Sequence, residues 1–184
     1  MKKDGNAVFE IVIPLDQYPH LYEHEPLGDA VAKLLGQCSD DGCHLHYDEL
    51  FILDSENCLV GHLSIRDILI SFFPSLLSQG SSSVYAGKKE QLTDLAILLV
   101  GTSDRECQRQ VDHRVGDYMT RPHRVVEGRI HPLQALEIMI KDKETTLPVV
   151  DRGMLLGAVR MMDLFRYLGP RCTLPTTGEQ QPES

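Results

Sequence analysis

A hydroxyl and a carboxylate three positions apart, Ser64 and Asp67, are the residues in this chain best placed to do chemistry. They sit in Gly61-His62-Leu63-Ser64-Ile65-Arg66-Asp67, where an apolar run gives way to helical spacing. Ser64 stands where an N-cap belongs, and the Asp67 carboxylate can reach back toward it. The spacing is explained by a capping box alone, worth about 1 kcal/mol for the cap. The same helix start, with free backbone N–H groups, is also a ready place to hold an anion. A related pattern, Gly157 to Asp163, returns later, with Arg160 where Ser64 stands. Arg160 can pair with a phosphate bidentately, fill the space itself, or be a salt-bridged surface arginine.

Other chemistry-bearing groups form weaker patterns. Cys38, Cys43, His44 and His46 offer four ligand atoms, but their spacing matches no standard structural-zinc signature, so no metal site is expected. His20, His24, His113, His123 and His131 are scattered, and no serine or cysteine nucleophile has a recognisable base beside it. The expectation is that the protein is not an enzyme.

The elements that must hold Ser64 and Asp67 follow from the pattern around them. Leu50 to Leu53 reads as a strand, Asp54 to Asn57 as a turn, and Leu59-Val60 as a second strand. Ile65, Ile68, Leu69 and Phe72 then fall at helical spacing. Upstream, residues 1–17 read as an irregular arm with a strand at Val8 to Ile13. His20 to Tyr22 reads as a short strand, and a helix opens on Pro26 and closes at Gly36. Cys38 to Asp48 reads as polar loop.

The same order returns. His123 to Val126 reads as a strand, Pro132 opens a helix, and Thr146 to Val150 and Leu155 to Val159 are strands. A helix follows from Met161 to Leu168. Gly61 and Gly157 are 96 positions apart (157 − 61), as are Asp67 and Asp163 (163 − 67). A small βαββα unit leaves an apolar sheet face that a second copy can cover. The fold class predicted is therefore mixed α/β, two βαββα repeats packed as one pseudo-two-fold module with a helical insert between them. The expected division is an arm at 1–17, repeat 1 at 18–77, an insert at 78–114, repeat 2 at 115–169 and a disordered tail at 170–184. In the insert, 78–87 is rich in Ser and Gly. Leu92, Leu95, Ala96 and Leu99 make a helical stripe, and Ser103 to Glu106 is a capping-box signature.

Composition narrows the classes of partner. Hydrophobic residues at 42% and charged residues at 24% are ordinary for a globular protein. Asp plus Glu at 27 against Lys plus Arg at 18 gives a formal charge of −9, which argues against nucleic acid and membrane surfaces as partners. No secretory signal or spanning stretch is visible, and five cysteines without framework spacing fit free thiols, so a cytoplasmic location is expected.

Val115-Gly116-Asp117-Tyr118-Met119-Thr120-Arg121-Pro122, then Leu147-Pro148-Val149-Val150-Asp151, then Gly157 to Asp163 strongly resemble a cystathionine-β-synthase (CBS) repeat. The first copy resembles the same family through Leu50 to Asp54 and Gly61 to Asp67 but lacks the Met-Thr lead-in. Together they resemble a tandem CBS pair, or Bateman module. The resemblance implies a regulatory module that binds AMP, ADP, ATP or S-adenosylmethionine between the repeats, requires no cofactor and forms a homodimer. It implies that Asp67 takes the ribose hydroxyls and Ser64 helps with phosphate, with Thr120, His123, Val125, Thr145 and Leu147 on the adenine side. A second, weaker cleft would pair Arg160 and Asp163 with His20, Leu21 and Leu50. The alternative is a ligand-free scaffold that dimerises or docks an effector protein.

Overall fold

A computed structural model describes residues 7–39, 42, 44–74, 103–121 and 124–173. In chain order the strands are β1 (Ile13–Pro14), β2 (His20–Tyr22), β3 (Glu49–Leu53), β4 (Leu59–Ser64), β5 (Val126–Glu127), β6 (Thr146–Asp151) and β7 (Met154–Arg160). The described helices are α1 (Leu27–Leu35), α2 (Ile65–Phe72), α3 (Ser103–Gln110), α4 (Pro132–Asp142), α5 (Met161–Leu168) and α6 (Pro170–Thr173). The chain divides into two compact units. One is drawn from the described residues of Asp16–Pro122, the other from those of Met1–Leu15 and His123–Ser184.

In the Asp16–Pro122 unit, β3 is central, parallel to β2 and antiparallel to β4. All five β3 residues are buried, the apolar Leu50–Leu53 and also Glu49, whose Oε1 accepts from the Tyr18 hydroxyl at 3.4 Å. Helix α1 turns Leu27, Ala30 and Leu34 onto the sheet at helical spacing, where they meet Leu21, Leu50, Ile52 and Leu63. Pro26 is the N-cap of α1, one position before the first-residue role expected of it, and Gly36 closes the helix. The β3–β4 turn is fixed by Asp54, whose Oδ1 accepts from the backbone N–H groups of Glu56 and Cys58, both at 2.8 Å. Beyond the sheet, α1, α2 and α3 border an apolar cavity of 490 Å³ lined by Leu34, Ile68, Leu69, Phe72, Cys107 and Val111 among others.

The second unit repeats the plan. Strand β6 is parallel to β5 and antiparallel to β7, and both hairpins carry a register shift at the same place, Ile52/Leu53 and Val149/Val150. Its core joins Val8, Val126, Ala135, Met139, Leu147, Val149, Val159 and Leu164. Helix α4 begins as expected at Pro132. The cap is His131, whose Nδ1 accepts from the N–H of Leu133 at 3.1 Å, while Gln134 accepts from the N–H of His131 at 3.0 Å.

Four expectations need correction. Val8–Glu10 is a 3-10 turn, because the N–H groups of Val8 and Phe9 bond the carbonyls of Ile130 and Gly128 while Val8 enters the core. The strand expected at 123–126 starts only at Val126; His123 lies outside the described residues. The tail opens with helix α6, which starts on Pro170, a residue suited to a first turn. The polar loop at 38–48 contains a bridge between Cys38 and Leu45. Residues 78–102 of the insert lie outside the described residues, whereas Ser103–Gln110 is helical as predicted. No helix among the described residues is long and apolar enough to cross a membrane.

Candidate functional site

Two corners, each where a strand ends in a helix, hold the motif residues. At the β4–α2 corner Ser64 and Asp67 form a complete capping box. Ser64 Oγ accepts from the N–H of Asp67 at 3.1 Å, and Asp67 Oδ2 accepts from the N–H of Ser64 at 3.1 Å. The Ser64 hydroxyl also donates to Oδ2, at 2.6 Å. All three of these contacts use one face of the pair, and both bonds to the carboxylate fall on Oδ2. The open anion site suggested by the sequence is narrower than expected. The N–H of Ile65 is held by the carbonyl of Asp48 at 2.8 Å, and that of Asp67 by Ser64. The chain itself fills most of the helix start.

At the β7–α5 corner the Arg160 side chain makes no cap; it turns onto Asp163 instead. Nε donates to Oδ2 at 2.7 Å and Nη2 to Oδ1 at 3.1 Å, a bidentate pair whose side chains are 17% and 14% exposed. Both carboxylate oxygens are engaged. The N–H of Met161 bonds the carbonyl of Thr145 at 2.7 Å, the counterpart of Ile65 on Asp48.

The motif glycines have a packing reason that the sequence did not reveal. A Cβ on Gly61 would stand 2.5 Å from Met119 Sδ, and one on Gly157 would stand 1.9 Å from the carbonyl oxygen of Ile13. Each strand thus carries a crossing segment. Thr120 pairs with His62 beside β4, with both N–H to carbonyl distances 2.9 Å. Strand β1 pairs with β7 through Ile13 with Ala158 and Pro14 with Gly157. These lead-ins are exchanged. The segment that precedes repeat 2 in sequence serves the sheet of repeat 1, and the arm that precedes repeat 1 serves the sheet of repeat 2. Val115 and Gly116 anchor their segment through N–H bonds to the carbonyls of Glu25 (2.9 Å) and Glu23 (3.0 Å). Met119 and Ile13 were missed because neither carries a polar group; a Gly with no turn around it was the only available signal.

The structure brings Thr120 into the unit that holds Ser64 and Asp67, with an exposed side chain. Val125 and Thr145 are exposed residues of the other unit. Three of the expected contacts have side chains buried in the core clusters: Leu21 (5% exposed), Leu50 (0%) and Leu147 (1%). Alternation along a buried strand, which spacing alone left open, assigns them inward. His20 Nδ1 lies 2.8 Å from the carbonyl of Tyr18. In the 38–48 loop Cys38 Sγ donates to the carbonyl of Leu35 at 2.9 Å, and the N–H of His44 bonds Ser39 Oγ at 3.1 Å; Cys43 lies outside the described residues.

Residues 115–170 match the CBS domain family. No curated protein matches the sequence. Among solved structures, CBSX2 in complex with AMP is 21% identical, covering 91% of this chain and 99% of that one, with a TM-score of 0.60. The CBS domain of a bacterial CNNM/CorC family Mg2+ transporter, in complex with ATP, is 15% identical over 90% of this chain and 89% of that one (TM-score 0.57). CBS domains of a transcriptional regulator from Streptococcus pneumoniae are 15% identical over 87% and 97% (TM-score 0.57). At these identities the likeness speaks for the fold. The match at 115–170 likens the second repeat to a CBS domain, and the chain as a whole shares the fold of these CBS structures, with the βαββα plan present twice.

Proposed function

We propose that this protein is a non-catalytic regulatory module that binds an adenosine-containing ligand, AMP, ADP, ATP or S-adenosylmethionine, with Ser64 and Asp67 as its sugar-binding corner. The observation that carries the reading is the state of the Asp67 carboxylate. It is oriented by two bonds on Oδ2, while its Oδ1 accepts no hydrogen bond from the described residues. A carboxylate held in this way is preorganised to accept a neutral vicinal diol. Thr120 lies against the same strand through His62. On the adenine side, Val125 and Thr145 offer exposed groups and Leu147 only backbone, with His123 assigned by resemblance. The CBS structures with AMP and ATP give the reading its ligand class.

Calorimetric titration with the four ligands tests this directly. Heat with at least one, lost in Asp67→Ala and kept in Thr145→Val at reduced affinity, supports the reading; no heat with any ligand refutes it. Regulation by such a ligand requires that it bind two arrangements of the protein with different affinities.

Dimerisation is the second part of the proposal. Leu133, Ile140, Met162 and Phe165 on α4 and α5 are between 55% and 74% exposed, and Leu35 and Leu69 in the other unit are 58% and 52% exposed. Large apolar side chains at that exposure favour association with a second copy. They equally favour the alternative, a scaffold docked on an effector protein. Light scattering of the pure chain separates the two: a dimer supports self-association, a monomer supports the effector.

A further inference from the structure

The two corners differ at the position three residues before the aspartate, Ser64 in one and Arg160 in the other, and the difference is chemical. We infer that Arg160 is a built-in occupant of the second corner, closing it to sugar ligands, so that each chain takes a single adenosine-type ligand. The inference rests on the function proposed above for Ser64 and Asp67.

The strands place the two positions alike. Ser64 pairs with Glu49 at the end of its hairpin, and Arg160 pairs with Thr146 at the end of the other. Each is the N-cap of the helix that follows, and each is three residues before an aspartate. Ser64 is short, caps the backbone and engages Oδ2 of Asp67 alone. Arg160 reaches farther and takes both oxygens of Asp163 in a fork, at 2.7 and 3.1 Å, with the pair more than four-fifths sheltered from water. Charge-assisted bidentate bonds of this kind are stronger than those a neutral diol can offer the same carboxylate. The carboxylate that would select the ligand is therefore already satisfied by its own chain.

The test is the stoichiometry of AMP and adenosine binding to the full chain by calorimetry. Wild type is expected to bind one equivalent. Arg160→Ser, which restores the Ser-x-x-Asp arrangement of the first corner, is expected to bind two, the second with an affinity within about tenfold of the first. Arg160→Ser with Asp163→Ala should return to one. Arg160→Thr provides a second route to the same arrangement, and thermal melting of each variant establishes that it is folded. Two equivalents on wild type overturn the inference, as does a single equivalent on both folded Arg160 variants. If wild type binds nothing while Arg160→Ser binds one equivalent that Asp163→Ala abolishes, Arg160 is the occupant of the second corner, but the count of one ligand per chain falls together with the assignment of the first corner. If no protein binds either ligand, both are refuted.

Discussion

Gly157→Ala should detach or strain the N-terminal arm, and the size of the effect can be worked out from its surroundings. An added Cβ would lie 1.9 Å from the carbonyl oxygen of Ile13, 2.9 Å from its carbonyl carbon and 3.0 Å from the nitrogen of Leu15. All three are backbone atoms, so no rotamer change relieves the overlap. The backbone at this position, with φ +154°, is also one that side-chain-bearing residues rarely adopt. If the arm yields, the pairing of Ile13 with Ala158 and the Leu15 N–H bond to Leu156 at 2.8 Å are lost. At about 1 kcal/mol per net hydrogen bond this costs about 2–3 kcal/mol. If the arm stays, overpacking costs about 1–3 kcal/mol. The variant should melt about 4–12 °C below wild type if the arm leaves and about 2–12 °C below if it stays, at about 2–4 °C per kcal/mol for a chain of this size. Hydrogen exchange distinguishes the two routes: the amides of Val8, Phe9 and Leu15 lose protection only if the arm leaves. Gly61→Ala is the control, because its clash is with the Met119 side chain, which can move. It should cost about 1 kcal/mol, and adding Met119→Ala should cost less than the sum of the single changes. A Gly157→Ala protein as stable as wild type, with the Leu15 amide still protected, would refute the reasoning.

Asp67→Ala should weaken nucleotide binding far more than Asp163→Ala, and should also destabilise the fold by about 1 kcal/mol through loss of the capping box, read by calorimetry and denaturant titration. Leu147→Ala should cost about 2–5 kcal/mol of stability, as expected for a core leucine and not for a ligand contact. Phe165→Glu should shift a dimer toward monomer in light scattering while leaving nucleotide affinity unchanged; unchanged association would remove α5 from the interface.

Much of the fold was legible because its signals are local. The β3–turn–β4–α2 order around Ser64 follows from a change of period and a cap, and the pairing of Gly61 with Gly157 exposed the repeat. The candidate corner was legible to the same degree: the Ser64–Asp67 box forms as the spacing required. What could not be read was non-local. Val8 looks like a strand residue until the carbonyls of Ile130 and Gly128 accept the N–H groups of Val8 and Phe9. Nothing near Leu50 or Leu147 says that their side chains face inward, because a run of apolar residues has no alternation to reveal its faces. Arg160 was open to three readings, and only its distance to Asp163 separates them.

The exchange of lead-ins constrains the order in which the chain can fold as it is made. The Asp16–Pro122 unit is continuous in sequence, so its sheet can close as soon as the segment through Thr120 has left the ribosome. The arm at Ile13–Pro14 emerges before that unit yet must wait for β7, more than a hundred residues later, to gain its partner. The loop it closes is long, and such distant contacts form slowly. A segment made well before its partner strand is thus secured only after it, and an unpaired edge with Val8 and Ile11 beside it is exposed throughout that interval.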